Sequence, residues 1–234
     1  MKLLLLSSSR AKQSAYLAPA LGASAETLVD IKEVLFIPYA GVSIEYDAYV
    51  AQVQTALAPQ GITIKGIHQY PDAKLAVQQA NAIMIGGGNT FALLTRLYEA
   101  DLVEVIQQQV LKGTPYIGWS AGANIAGLSI RTTNDMPIVE PPTFQALALL
   151  PLQLNPHYTD FVPEGFHGET RDMRLAEFMR VAPTTPVIGI PEGTYLRYQA
   201  DKLEYIGDEP GYLFKGGNKT AIAPHSELNE WLRG

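Results

Sequence analysis

Five short apolar runs, at residues 2–6, 33–40, 62–68, 82–88 and 115–120, alternate along this chain with longer segments of helical period. Runs of four to eight residues ended by glycine or proline suit strands better than helices. Because they are apolar almost throughout, they predict strands buried on both faces, which is the condition of a parallel sheet. Parallel strands need crossovers, and the amphipathic segments supply them. The expected fold is therefore an α/β three-layer sandwich, a largely parallel sheet with helices on both faces. The clearest helix runs from a candidate N-cap at Ser43 to Pro59, a second from Asp101 to Leu111, and a third from Thr170 to Pro183. Residues 194–223 alternate Tyr, Leu and Ile with polar residues and turn signals, which predicts antiparallel strands near the C-terminal edge. At 234 residues the chain suits one domain spanning 1–234.

Seventeen basic against 23 acidic residues give a net charge of −6 with no Lys/Arg-rich run, so nothing points to nucleic acid or an anionic membrane as a partner. Zero cysteines remove disulfides, thiolate metal ligands and a cysteine nucleophile together. Covalent chemistry would have to fall to another group. The leucines at 3–6 give way to Ser7-Ser8-Ser9-Arg10, so the opening reads as a buried strand and not a signal peptide. No apolar stretch approaches the length of a membrane span.

The fifth run ends in Gly118-Trp119-Ser120-Ala121-Gly122, a G-x-S-x-G pattern between an apolar strand and a start of small residues suited to a helix. Such a turn can hold a serine in a tight conformation with its hydroxyl exposed at the sheet's carboxyl edge and neighbouring amides free for an oxyanion. The bland reading is a crowded turn relieved by glycine. The fourth run ends in Gly86-Gly87-Gly88-Asn89-Thr90, again opening a helix. It lacks the lysine of a P-loop and the spaced glycines of a dinucleotide fingerprint, so it favours an oxyanion over a nucleotide. On a parallel sheet the two turns share one edge, where open α/β folds bind ligands. Asn89 and Thr90 then become candidates for substrate binding.

A base must come from His68, His157, His167 or His225. His68 ends a predicted strand and His225 begins a predicted terminal helix, which favours structural or solvated roles. His157 follows Leu152-Gln153-Leu154-Asn155-Pro156 and so stands at a strand end. His167 lies between glycines, too loosely held for a base that must stay aligned. Asp135, in a Pro/Thr/Asn-rich loop, and Glu192, after the run Val187-Ile188-Gly189-Ile190, are the carboxylates best placed to orient the base. A triad tolerates any order in the chain, so spacing does not choose between them.

Taken together, the segments IMIGGGNTF, IGWSAGAN, IRTTNDMPIV, LQLNPH and PEGFHGETR resemble the peptidase E family of cytoplasmic α-aspartyl dipeptidases, in that family's order and spacing. The likeness weakens in the first helix and after about residue 195. It implies a serine peptidase on a class I glutamine amidotransferase-like sandwich that cleaves dipeptides beginning with aspartate, with no metal or cofactor, and it admits a homodimer. Carried over, Ser120 matches the nucleophile, His157 the base, and Gly88 and Ala121 the oxyanion-hole amides. Asp135 or Glu192 matches the third member. A carboxylate after a buried strand is more rigidly held, which leans toward Glu192. Arg171 matches the residue that grips the aspartyl carboxylate. It sits in the first turn of the helix begun at Thr170, where the macrodipole disfavours a cation by about 0.3 to 1 kcal/mol. A bound carboxylate would offset that, unless neighbouring Asp172 already does. The competing readings are a cyanophycinase-like aspartyl peptidase and a non-catalytic small-molecule binding protein on the same fold.

Overall fold

The computed structural model describes residues 1–232. In chain order the elements are β1 (Leu3–Leu6), α1 (Leu21–Thr27), β2 (Glu33–Ile37), α2 (Tyr46–Leu57), β3 (Thr63–Gly66), α3 (Ala73–Gln79) and β4 (Ile83–Ile85). There follow α4 (Thr90–Glu99), α5 (Val103–Leu111), β5 (Tyr116–Trp119), α6 (Ala121–Asn124), β6 (Gln153–Pro156), α7 (Arg171–Val181) and β7 (Val187–Ile190). The last are β8 (Tyr195–Gln199), β9 (Lys202–Ile206), β10 (Gly211–Lys215), β11 (Asn218–Ile222) and β12 (Ser226–Glu227).

The main sheet has the order β12-β9-β8-β1-β5-β4-β2-β3. Pairing from β3 to β1 is parallel throughout, and β8, β9 and β12 extend it antiparallel. All five predicted apolar runs supply its parallel part. The reason is visible in β1: Leu3 and Leu5 pack on one face with α3, α4 and α5, while Leu4 and Leu6 pack on the other with α1 and α2. A strand covered twice must be apolar at every position, since successive side chains point to opposite faces.

The structure departs from these expectations in three places. The C-terminal antiparallel strands are divided between two sheets: β10 and β11 leave the main sheet and join β6 and β7 in a second one, of order β11-β10-β7-β6. One face of this second sheet contributes Leu154, Ile188, Ile190 and Leu213 to the core shared with the main sheet, and the other is covered by α7 through Leu175, Phe178 and Met179. Ser43 does not cap α2, which starts at Tyr46 after an extended Glu45 with no side-chain cap. Thr170 does cap α7, its Oγ1 accepting from the Met173 N–H at 3.2 Å. His225 belongs to no helix; it stands in a left-handed conformation at φ 57° just before β12.

Candidate active site

Register brings the functional turns together. Ile85 lies opposite Gly118 and Leu6 opposite Trp119, so the C-terminal ends of β4, β5 and β1 emerge side by side. In the second sheet Pro156 lies opposite Ile190, which sets His157 beside the segment leading to Glu192.

Ser120 sits at φ 53° and ψ −114°, a conformation that non-glycine residues rarely adopt. Holding it there costs about 1–3 kcal/mol, maintained by the surrounding packing. The packing is tight: a Cβ at Gly122 would collide with the carbonyl of Ile85 in the neighbouring strand. The glycine that completes the sequence pattern thus lets the elbow rest directly on β4.

His157 Nε2 lies 2.8 Å from Ser120 Oγ, and its Nδ1 lies 2.8 Å from Glu192 Oε1. This is the nucleophile–base–carboxylate geometry of a serine hydrolase. His157 is itself left-handed at φ 55° and is pinned through its backbone. The fully buried Ser7 Oγ accepts from the His157 N–H at 2.9 Å and donates to the Ile190 carbonyl at 2.7 Å, tying the ends of β6 and β7 to β1. Ser7 gave no sequence signal beyond ending an apolar run. With 57% of its side chain exposed, Glu192 gains little stability for the fold from this contact.

Asp135 is engaged elsewhere. Its Oδ2 accepts from the Thr90 N–H at 2.7 Å and from Thr90 Oγ1 at 2.6 Å, so it caps the start of α4 and makes no hydrogen bond to His157. The two carboxylates that spacing could not separate are separated here by geometry. Thr90 is buried and committed to that bond, and Asn89 is committed too, as the α4 N-cap with Oδ1 accepting from Ala92 and Nδ2 donating to the Met136 carbonyl. Both side chains brace the glycine loop. The remaining histidines lie apart from the serine: His68 pairs with Asp47 at 2.8 Å, and His167 and His225 are exposed.

Among the described residues, neither the Gly88 nor the Ala121 N–H is matched to an acceptor. Gly88 sits at φ 139° with no room for a Cβ, which would collide with the Ala40 carbonyl. Gly88→Ala is therefore expected to distort the loop, lowering stability by about 1–3 kcal/mol and kcat with it. Thermal melts and steady-state rates check this, and a variant matching the parent in both would show that the loop is not constrained as described.

Ser120 and His157 border a pocket and a small cleft. A pocket of about 470 Å³ is lined by Tyr16, Ile44, Gly88, Trp119 and Ile138 together with the pair itself. A small cleft beside the pair is lined by Asn134 and Asp135, and Asn134 also lines a second pocket, of about 360 Å³, that holds Arg171. The charges in this second pocket are mostly spoken for. Glu169 pairs with Arg174 at 2.8 Å, while Asp160 and Asp172 both bind Lys219 and the Tyr158 hydroxyl. Asp172 therefore does not balance Arg171, which has no carboxylate within ion-pair distance among the described residues. Burial, reinforced by Arg174 and opposed by Asp135, pushes the Arg171 pKa below its ordinary value.

Residues 3–206 match the sequence profile of peptidase family S51. The chain belongs to peptidase family S51. As an S51 member it is a serine-type peptidase with a peptide as its substrate. It is 53% identical over 231 residues to peptidase E of Shewanella oneidensis, covering 98% of each chain, and 53% identical over 230 residues to peptidase E of Shewanella amazonensis, again covering 98% of each. Among solved structures, a Listeria monocytogenes EGD-e protein described as peptidase E superposes with a TM-score of 0.65 at 23% identity, over 89% of this chain and 98% of that one. A peptidase from an acI-B1 actinobacterium gives 0.70 at 18% identity, over 97% and 96%. These two likenesses support the sandwich fold of this S51 peptidase. No helix among its described residues is long and apolar enough to cross a membrane.

Proposed function

We propose that this S51 peptidase is a dipeptidase that hydrolyses Asp-Xaa dipeptides through an acyl-enzyme on Ser120. Ser120 Oγ attacks the peptide carbonyl while His157 Nε2 takes its proton and Glu192 holds the Nδ1–H, fixing the tautomer. The Gly88 and Ala121 amides receive the oxyanion. His157 then protonates the leaving amine, and a water, deprotonated in turn by His157, releases aspartate. A cytoplasmic setting and a homodimer belong to the same proposal, carried by the family resemblance alone.

The observation that carries the specificity is Arg171, which has no carboxylate partner among the described residues, in a pocket that shares Asn134 with the cleft beside Ser120. Desolvated and next to Arg174, its cation gains most from an anionic ligand, and a guanidinium fork fits a carboxylate through two hydrogen bonds. An aspartyl side chain reaching past Asn134 supplies that anion, leaving the 470 Å³ pocket for the departing residue.

Turnover of Asp-Leu, Asn-Leu, Glu-Leu and β-Asp-Leu tests this reading. Asp-Leu should be the preferred substrate. Arg171→Ala should reduce its kcat/KM by roughly 30-fold to several thousand-fold, the usual cost of about 2–5 kcal/mol for removing one partner of a desolvated charge pair. Preference for Asp over Asn should shrink in parallel, and Arg171→Lys should recover part of it, since an ammonium keeps charge but not the fork. Full Asp-over-Asn discrimination in Arg171→Ala would overturn the assignment.

A further inference from the structure

On the side of β2 and α2, three hydrogen bonds hold the glycine loop after β4. The Gly86 N–H donates to the Ile37 carbonyl at 3.3 Å, the Asn89 N–H donates to the Ala40 carbonyl at 2.9 Å, and the Gly87 carbonyl accepts from the Tyr49 hydroxyl at 2.9 Å. The first two are backbone contacts available to many sequences. The third is made by one side chain reaching up from α2, on the opposite side of the loop from α4.

The Gly87 carbonyl and the Gly88 N–H belong to one peptide unit. No cis bond occurs among the described residues, so the two groups point in opposite directions across a rigid plane. A donor that fixes the carbonyl therefore fixes the direction of the N–H. Gly88 is the residue most in need of such a restraint. Its φ of 139° lies in a region where glycine moves freely, and its own N–H has no acceptor among the described residues.

We propose that Tyr49 is a positioning residue for catalysis, its hydroxyl aiming the Gly88 N–H at the developing oxyanion by holding the far side of the same peptide. This rests on the assignment of Ser120 as nucleophile and Gly88 as oxyanion donor. The side chain is built for a fixed role. It is 5% exposed, its ring meets Phe36 edge-on at 4.9 Å and Trp119 at 6.5 Å, and the Tyr16 hydroxyl stands 3.5 Å from its own. Burial raises the Tyr49 pKa, so the phenol stays protonated and remains a donor throughout the neutral range. An oxyanion donor matters most as charge develops on the carbonyl oxygen, so loosening it should weaken the transition state and leave ground-state binding alone.

Tyr49→Phe keeps the ring and removes the donor. Deleting an oxyanion donor outright costs about 10²–10³ in kcat, and releasing one to wander should cost less, about 10-fold. The experiment compares parent, Tyr49→Phe and Tyr98→Phe. Tyr98 makes the same kind of hydroxyl-to-carbonyl bond, to Gln145 at 3.0 Å, away from the glycine loop, so its variant controls for loss of a phenol. Three readouts are taken on each: kcat and KM for Asp-Leu, the rate and final stoichiometry of labelling by a fluorophosphonate, and the melting temperature. The expected result is a kcat lowered about 10-fold in Tyr49→Phe with KM within twofold, labelling that still reaches one per chain but more slowly, and a Tyr98→Phe variant like the parent. An unchanged kcat in Tyr49→Phe, or a loss that appears in KM instead, overturns the role of Tyr49 while parental labelling leaves the Ser120 reading standing. A parent that takes no label overturns both.

Discussion

Ser120→Ala should abolish peptide hydrolysis while the protein melts as the parent does. Loss of a catalytic serine in an analogous triad costs on the order of 10⁶ in kcat, leaving what the oxyanion hole and binding provide. Stability should be spared because the hydroxyl caps nothing: Ser120 precedes α6 without a side-chain cap bond, and its Oγ partner is the half-exposed His157. Alanine inherits the unfavourable φ of 53°, whereas glycine does not. Ser120→Gly should therefore be equally inactive yet more stable than Ser120→Ala, by up to about 1–3 kcal/mol of released strain. Activity within tenfold of the parent in either variant would remove Ser120 from the mechanism. Calorimetry that ranks the glycine variant below alanine would remove the strain.

Glu192→Gln should be the next most damaging change, and its comparison with Asp135→Asn separates two ways of losing activity. An amide at 192 presents a donor as readily as an acceptor to Nδ1, so the imidazole is no longer held in the tautomer that leaves Nε2 free to accept the serine proton. The corresponding substitution in the serine-protease triad costs roughly 10⁴ in kcat, which sets the scale expected here. Asp135→Asn acts at a different place. It weakens the acceptor for the Thr90 N–H and hydroxyl, loosening the start of α4 and the loop that carries Gly88. Its cost should include a loss of stability of about 0.5–2 kcal/mol, the range for a helix cap. The readout that distinguishes them is the His157 Nδ1–H resonance, which should survive in Asp135→Asn and be lost or displaced in Glu192→Gln. The reverse pattern would make Asp135 the orienting carboxylate and contradict the geometry.

Much of the sandwich could be read directly because its signals are local. Each of the five apolar runs became a parallel strand of the main sheet, and the serine elbow coincides with the local G-x-S-x-G pattern at 118–122. What the sequence could not decide depends on pairings across the chain. The choice between Asp135 and Glu192 turns on the β6–β7 register, which sets Pro156 opposite Ile190, 34 residues later in sequence. No local propensity encodes that partner. The same non-locality hid the second sheet, since β10 and β11 alternate like any edge strands and only the pairing of β10 with β7 removes them from the main sheet. Ser7 and Tyr49 were invisible for a related reason. A serine ending a strand and a tyrosine on the buried face of a helix have ordinary explanations, and their contacts with His157 and Gly87 lie 150 and 38 residues away in sequence. Asn89 and Thr90 stand at the glycine turn that the sequence marks, but their polar atoms already serve the loop and helix that hold Gly88.

Activation of Ser120 by His157 for covalent attack is tested most directly by a fluorophosphonate followed by peptide mapping. The parent should acquire one adduct per chain, located on Ser120; His157→Ala should label far more slowly, and Ser120→Ala should not label at all. An adduct on a different serine, or equal labelling with and without His157, would contradict the account.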